Sequence, residues 1–188
     1  MSSCSLRNFK KKNKNLKLIL KDQSNLYDIK ANYIFSKLQE SEFNKKYKII
    51  NDEMLRGVII ISKNLTLREL RNIYSITDCY VSPYMAEGFN LTPLEAAGCG
   101  TQIAVTKGGS TDDYFNKCMG YQIESDEKLI NNDSILNPKL DSLIEILNQI
   151  INKTDESKLQ RCKYVHENFS WSNISKKLKK EFEKKLTK

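Results

Sequence analysis

Residues 79–109 read CYVSPYMAEGFNLTPLEAAGCGTQIAVTKGG, and the fold class follows from this stretch. It contains two short apolar runs, Cys79–Ser82 and Gln102–Thr106, each of strand length. Helical signals lie between the two runs, because Pro93 suits the first position of a helix and Gly100 suits a C-terminal stop. A strand, a helix and a second strand in this order predict parallel strands joined by a crossover helix.

The same alternation is found upstream. Leu16–Leu20 and Val58–Ile61 are predicted strands, and residues 28–40 have helical spacing of apolar residues. Thr66-Leu-Arg-Glu69 has the capping-box pattern and predicts the start of another helix. The residues predicted to share the apolar face of that helix are Leu67, Leu70 and Tyr74.

Downstream, Gly120–Ile123 is a weaker strand candidate, and the sequence is helical from 139 onward. Two further helices are predicted at roughly 155–168 and 172–186. Five short strands separated by helices predict an α/β fold with a parallel sheet flanked by helices.

Charge is distributed unevenly along the 188 residues, whose formal net charge is +8. Residues 1–21 carry seven basic and no acidic groups, and residues 153–188 carry eleven basic and five acidic groups. The remainder is therefore mildly acidic, which argues against a phosphate-reading groove in the body of the protein. The terminal lysines suggest solvated helix faces, although a nucleic-acid or membrane-surface protein stays a third hypothesis.

The sequence also indicates a cellular compartment. No apolar run is long enough to span a membrane, and no apolar segment of a secretory signal follows the first basic residues. The five cysteines form no close pair, so we expect reduced thiols in a soluble, cytoplasmic protein. His166 is the only histidine, which excludes histidine triads and multi-histidine metal sites, and we predict no metal.

Ligands of parallel α/β sheets bind beyond the carboxyl ends of the strands, and the loop after Ser82 is unusual. Thr92 is the predicted N-cap of the next helix, with Glu95 at its third position in a second capping box. The amide end of such a helix attracts anions, and Gly88 would let the backbone approach a ligand closely. Taken alone, Glu95 is better explained as a residue that only completes its capping box.

Two further loops offer polar groups at strand ends. Gly108 and Gly109 follow the strand that ends at Thr106, and Ser110 is a predicted cap with Asp113 at its third position. Lys21 ends an earlier strand. A phosphate-bearing ligand could be held by these groups, but the glycines could be turn residues only and Lys21 a solvated lysine.

The segment from Glu87 to Gly100 resembles the E-x7-E signature of retaining glycosyltransferases with the GT-B fold, the group 1 or family 4 class. The similarity continues beyond this segment. It includes the predicted strand Gln102–Thr106, the Gly108-Gly109 turn, Thr111-Asp-Asp113 and Phe169-Ser-Trp171. It covers about residues 16–186.

This resemblance implies a Rossmann-like C-terminal donor domain over residues 16–188, with its C-terminal helices at about 139–188. It implies a nucleotide-diphosphate sugar of the UDP or GDP type, retention of configuration, and no cofactor. Glu87 would face the sugar as the catalytic residue, and Glu95 would bind the ribose hydroxyls. The residues whose amides would contact the sugar or the diphosphate are Gly88, Phe89, Asn90, Leu91 and Thr92.

The chain also departs from the family pattern. Family enzymes have an N-terminal domain for the acceptor, which we expect to come from a partner chain or a missing domain. We expect their first strand–helix unit to be missing here, or reduced to a basic leader over residues 1–15, and Lys21 does not match its diphosphate-binding motif. Two main hypotheses follow: the donor half of a glycosyltransferase, or a non-catalytic sugar-nucleotide-binding module or remnant.

Overall fold

The computed structural model describes residues 16–21, 36–37, 39–41, 45, 56–130 and 133–186. The chain divides into two compact units, Met1–Leu65 and Thr66–Lys188. In the first unit, strands β1 (Leu18–Lys21) and β2 (Val58–Ile61) form a parallel pair. The bounds of β2 are as predicted, whereas β1 begins and ends later than predicted. The predicted leader over 1–15 and most of the predicted helix over 28–40 lie outside the described residues.

The second unit is built on a three-stranded parallel sheet. Its strands are β3 (Cys79–Ser82), β4 (Gln102–Thr106) and β5 (Gly120–Ile123), and β4 lies in the middle. All three predictions are confirmed. Gly120 has a φ of +149°, and a Cβ there would lie 2.1 Å from the Ile103 carbonyl oxygen, so β5 can begin beside β4 only with glycine.

Five helices accompany this sheet in the second unit: α1 (Leu67–Ile76), α2 (Leu91–Gly98), α3 (Leu140–Asn152), α4 (Lys158–Phe169) and α5 (Trp171–Leu186). The capping box of α1 is confirmed, because the Glu69 amide donates to Thr66 Oγ1 and the Thr66 amide donates to the Glu69 carboxylate. The predicted apolar face of α1 is wrong at one end: Tyr74 is buried, but Leu67 is 85% exposed. Leu67 is the first residue of α1, and it is not part of the core cluster that contains Tyr74.

Side chains of the three-stranded sheet point alternately to two core clusters. Ile103 and Val105 of β4 pack with residues of α2 and α4, whereas Ala104 packs with Ile146 and Ile150 of α3. Helices therefore cover both faces of the sheet, as expected for an α/β fold. The four described cysteines are free thiols: Cys79, Cys99, Cys118 and Cys162.

An antiparallel hairpin follows β5 and is absent from the sequence prediction. Its strands are β6 (Ser125–Ile130) and β7 (Asp133–Pro138), paired from Ser125 with Pro138 to Ile130 with Asp133. This register leaves two residues between the strands, both asparagines in the sequence. Asn131-Asn132 lies outside the described residues, but it was the available sequence signal, because asparagine is common in turns.

Candidate functional site

Three connections leave the carboxyl edge of the three-stranded sheet and build the candidate site. The first is the loop 83–90 after β3, and the second is the segment 107–113 after β4. The third is the β6–β7 hairpin, which begins two residues after β5 ends at Ile123. Because the strands are parallel, all three connections start at the same edge.

Tyr84 joins the first connection to the second. Its hydroxyl donates to the Thr106 carbonyl oxygen at 3.2 Å and lies 2.8 Å from Thr111 Oγ1, and it accepts from the Thr111 amide. In return, Thr106 Oγ1 donates to the Tyr84 carbonyl oxygen at 2.8 Å. These hydrogen bonds fix the two loops relative to each other before any ligand binds.

Asn90 sets the start of α2. It is the only non-glycine residue with positive φ (61°) in the described part of the chain, and its side-chain amide donates to Ser82 Oγ at 2.9 Å. The Tyr114 hydroxyl donates to the Asn90 carbonyl oxygen at 2.7 Å, and the Phe89 ring centroid lies 5.2 Å from that of Tyr114. The left-handed turn is therefore held by hydrogen bonds on both sides.

The predicted capping box of Thr92 and Glu95 is wrong. The helix starts at Leu91, one residue before Thr92, with Asn90 as N-cap. The Thr92 hydroxyl instead accepts from the Tyr80 hydroxyl and donates to the Asn90 side chain. Among the described residues, no side chain caps the first-turn amides of α2, and these amides carry the positive end of the helix dipole.

Glu87 lies with the two glycines of the second connection in one cavity of about 260 Å³. Its carboxylate is one of the causes of the raised pKa of Tyr114, after burial and the neighbouring tyrosines Tyr84 and Tyr80. The residues that line the cavity are Tyr84, Met85, Ala86, Glu87, Gly108, Gly109, Ser110, Glu127, Ser134, Ile135 and Leu136. Sequence reasoning gave no role to Tyr84, Met85 and Ala86, and it missed the last four residues of this list, which belong to the hairpin.

The two glycines differ in what they contribute. Gly108 has a φ of +90°, and its amide already donates to the Asp112 carboxylate at 2.9 Å. From the sequence we expected this amide to hold a phosphate, but in the structure it is already engaged. Gly109 lies in close packing, because a Cβ there would be 2.7 Å from the Tyr84 hydroxyl oxygen and 2.8 Å from Leu136 Cδ1. Gly108 therefore permits the turn, and Gly109 permits the close approach of Tyr84 and Leu136.

The predicted cap at Ser110 is also wrong. Ser110–Asp113 forms a single turn of 3-10 helix that follows Gly109, without a side-chain cap. The turn is too short for a capping box because Asp113 already ends it. Ser110 Oγ is buried and has no hydrogen-bond partner among the described residues, and Ser110 lines the cavity.

Hydrogen bonds attach the hairpin to both loops. The Leu136 amide donates to the Met85 carbonyl oxygen at 2.8 Å, and Ser125 Oγ donates to the Lys107 carbonyl oxygen at 2.6 Å. The Lys107 ammonium also pairs with Glu124 at 2.8 Å, between exposed side chains. The hairpin is thereby a fixed wall of the cavity.

The remaining predicted residues lie outside this cavity lining. Glu95 is exposed on α2 and faces Tyr74, whose pKa is raised mainly by burial and further by Tyr80 and Glu95. Gly88 has open space around it, with no atom within 4 Å of a Cβ placed there. Lys21 is the exposed last residue of β1 in the first unit, paired in register with Ile61. The remaining exposed residues of the motif are Phe89, Leu91 and Thr92.

The described residues contain no group of three or more histidine, cysteine, aspartate or glutamate side chains that could hold a metal ion. His166 is exposed on α4. The polar side chains that line the cavity are the carboxylates of Glu87 and Glu127 and the hydroxyls of Tyr84, Ser110 and Ser134. This set suits a neutral, hydroxyl-rich group beside a helix amino end that attracts an anion.

Residues 4–130 match the family described as Glycosyl transferases group 1. The chain belongs to the group 1 glycosyltransferases. Its three-dimensional neighbours are distant in sequence and agree in fold. A glycosyltransferase from Rickettsia africae ESF-5 has a TM-score of 0.66 and 15% identity, and the match covers 98% of this chain and 44% of that one.

A second neighbour of this group 1 glycosyltransferase is a structure titled GtfA/B complex. It has a TM-score of 0.54 and 14% identity, and the match covers 91% of this chain and 36% of that one. The chain thus spans less than half the length of either neighbour. A comparison with curated proteins gives no match.

Proposed function

We propose that this chain binds a nucleotide-diphosphate sugar at the carboxyl edge of its three-stranded sheet and forms the donor half of a retaining, hexosyltransferase-like glycosyltransferase. The observation that carries the proposal is the position of the two motif glutamates. Glu87 lines the cavity, Glu95 is exposed on α2, and the first-turn amides of α2 lie between them in sequence without a side-chain cap. The donor would be of the UDP or GDP type.

The geometry supports a division of roles among these groups. Glu87 would face the sugar inside the cavity, and Glu127 and Ser134 of the hairpin would hydrogen-bond to further hydroxyl groups of the sugar. The amides of residues 88–92 would face the sugar and the diphosphate, and the Glu95 carboxylate would accept from the ribose hydroxyls. An ionised carboxylate can accept hydrogen bonds from two hydroxyl groups, so each of the two glutamates could bind a pair of sugar hydroxyls.

The proposed reaction transfers the sugar from the diphosphate to an acceptor hydroxyl. The bond from the anomeric carbon to the diphosphate oxygen breaks, the acceptor oxygen bonds to that carbon, and the acceptor proton passes to the leaving diphosphate. Negative charge grows on the diphosphate as the bond breaks. The amide end of α2 would stabilise this charge, because its dipole is fixed before the reaction starts.

The acceptor half would come from outside the described site. The chain spans 44% of its Rickettsia africae neighbour, and the second neighbour is titled as a complex, which supports a partner chain or a further domain. The free thiols of the four described cysteines support a reducing compartment such as the cytoplasm.

A second candidate function is a sugar-nucleotide-binding module without transferase activity. It requires only the cavity and the uncapped amino end of α2. The two candidates agree on donor binding and differ in turnover. Any sugar transfer by the purified chain that is lost in Glu87→Gln would exclude the module.

The test is calorimetric titration of the 188-residue chain with UDP, GDP, ADP and the corresponding sugar nucleotides. We expect one of them to bind, and we expect Glu95→Gln to weaken it about tenfold to a hundredfold, because a charge-assisted hydrogen bond contributes about 1.5–3 kcal/mol. Glu145→Gln, an exposed change on α3 away from the cavity, is the matched control. Equal affinities for wild type, Glu87→Gln and Glu95→Gln would refute the donor site.

A further inference from the structure

The β6–β7 hairpin presents a second carboxylate to the cavity that Glu87 lines. Directly opposed residues of an antiparallel pair point to the same face, and Glu127 is paired with Leu136. Leu136 lies against the second connection, because its Cδ1 would be 2.8 Å from a Cβ on Gly109. Glu127 is therefore on the face of the hairpin that forms the cavity wall, and Glu127 and Leu136 both line the cavity.

The other charged residues of β6 belong to the opposite face of the hairpin. Successive side chains of a strand alternate between its two faces, so Asp126 and Lys128 point away from the face of Glu127. The Asp126 carboxylate pairs there with the Lys139 ammonium at 2.7 Å. Of the three charged residues of β6, only Glu127 contributes its charge to the cavity.

The cavity lining carries negative charge without a compensating positive charge. Its charged side chains are Glu87 and Glu127, and no lining residue in the described part of the chain is a lysine, an arginine or a histidine. Beside the lining, the Lys107 ammonium is held by the Glu124 carboxylate at 2.8 Å. Carboxylates attract groups that donate hydrogen bonds and repel other anions.

A buried hydroxyl adds a second requirement. Ser110 Oγ is buried and has no hydrogen-bond partner among the described residues, and Ser110 lines the same cavity. A buried polar group without a partner costs free energy, so a ligand hydroxyl that supplies this partner is favoured. The part of a ligand that occupies the cavity should therefore be rich in hydroxyl groups and free of negative charge.

We propose that this cavity selects donors by the charge of the sugar, so that it accepts neutral hexoses and rejects uronic acids. Glu127 is the specificity-determining residue, because it adds to Glu87 a second negative charge from a separate connection. A uronic acid carries a carboxylate where a hexose carries a hydroxyl, and that carboxylate would be repelled by both glutamates. This inference rests on the proposed donor site and adds to it the class of sugar.

Sugar nucleotides that differ only at the sixth carbon of the sugar test this selection. Calorimetric titration of the chain compares UDP-glucose with UDP-glucuronate, and GDP-mannose with GDP-mannuronate. For the nucleotide that the chain binds, we expect the uronate to bind at least about tenfold more weakly than the hexose at low salt. The difference should shrink as salt is added, because salt screens the repulsion between the carboxylates.

Variants on the two faces of β6 test whether Glu127 causes the selection. Glu127→Gln should narrow the ratio of hexose affinity to uronate affinity about fivefold, and Glu127→Lys should narrow it further. Asp126→Asn removes the same charge from the opposite face and should leave the ratio as in wild type. Glu127 is exposed, so its variants should fold normally, which thermal unfolding of each variant checks.

The possible results separate this inference from the donor site itself. Nucleotide binding that Glu95→Gln weakens, together with equal affinities for hexose and uronate, would support the donor site and overturn the charge selection. An unchanged ratio in Glu127→Gln, or an equal narrowing in Asp126→Asn, would overturn the role of Glu127. No binding of UDP, GDP or any of the four sugar nucleotides would refute the donor site and this inference with it.

Discussion

Arg161 shows how a single buried charge organises the second unit. Its side chain is 2% exposed, and it donates to the Gly100 carbonyl oxygen and, at 3.1 Å, to that of Cys118. Asp155 accepts from both terminal nitrogens at 3.0 and 2.9 Å. The guanidinium thereby links α4 to the backbone just before β4 and β5. It also holds the pKa of Asp155 below its usual range, mainly by hydrogen bonding.

We expect Asp155→Asn to lower the free energy of unfolding by about 3 kcal/mol at neutral pH, because it leaves a buried guanidinium without its counter-charge. A depressed carboxyl pKa stabilises the fold above the ordinary value of about 3.9, and the gain is lost as pH falls through the folded value. Urea unfolding at neutral and acid pH should therefore show a difference between wild type and variant that shrinks in acid.

Glu156→Gln, an exposed neighbour with the same change of charge, is the control for that series and should have little effect at either pH. A difference between wild type and Asp155→Asn that stays constant from neutral to acid pH would contradict the assigned ion pair.

At the scale of elements, the site depends on how two loops and a hairpin are fastened together. Tyr84 and Thr106 exchange hydrogen bonds between the two loops. The Leu136 amide of β7 donates to the Met85 carbonyl oxygen in the loop after β3. The loop glycines therefore fall into two kinds. Gly109 is enclosed by this packing, whereas Gly88 faces open space.

We expect Gly88→Ala to leave the thermal unfolding midpoint unchanged and to weaken donor binding, because its Cβ would meet only a bound ligand. Gly109→Ala should instead lower the free energy of unfolding by about 1–3 kcal/mol, since it overpacks against Tyr84 and Leu136. Calorimetric titration and thermal unfolding of both variants check this pair. Wild-type affinity in Gly88→Ala would show that no ligand approaches the backbone there.

At the scale of the whole molecule, helices cover both faces of the three-stranded sheet, and the carboxyl edge holds the cavity. A ligand of this cavity binds the folded state and not the unfolded state, because the site exists only in the folded chain. Its binding must then appear as added stability of the entire second unit, because the loops that form the site are hydrogen-bonded to the strands.

We expect the cognate nucleotide, at a hundredfold excess over its Kd, to stabilise the chain by about 2.7 kcal/mol. Thermal unfolding in the presence of UDP, GDP and ADP measures this as a raised midpoint for one nucleotide. Glu95→Gln should need a higher concentration for the same shift. A midpoint that no nucleotide moves, at concentrations far above those of cellular metabolites, would contradict the donor site.

Local patterns predicted much of the fold. The bounds of β2 to β5 follow from short apolar runs, and α3 to α5 follow from helical spacing to within a few residues. The end of α2 follows from Gly100, which has the expected positive φ of 88°. These features depend on interactions between residues that are close in sequence, so they can be inferred from the amino-acid sequence.

The start of α2 could not be predicted in the same way. The pattern at Thr92 and Glu95 matches a capping box as well as the one at Thr66 and Glu69 does. Only at Thr66 is the box formed. At Thr92 the hydroxyl is engaged by Tyr80, twelve residues away, and Asn90 takes the left-handed conformation because Ser82 and Tyr114 hold it. A competing partner from a distant element decides the outcome.

The family and the order of strands and helices outside the β6–β7 hairpin are thus properties of the amino-acid sequence, because periodicity and a contiguous motif encode them. The tertiary structure alone brings Glu87 together with Ser110, Glu127 and Ser134, and it alone engages the Gly108 amide with Asp112. These residues come from three separate connections that meet only when the strands align. Their contacts depend on distances between elements, and no local pattern encodes those distances.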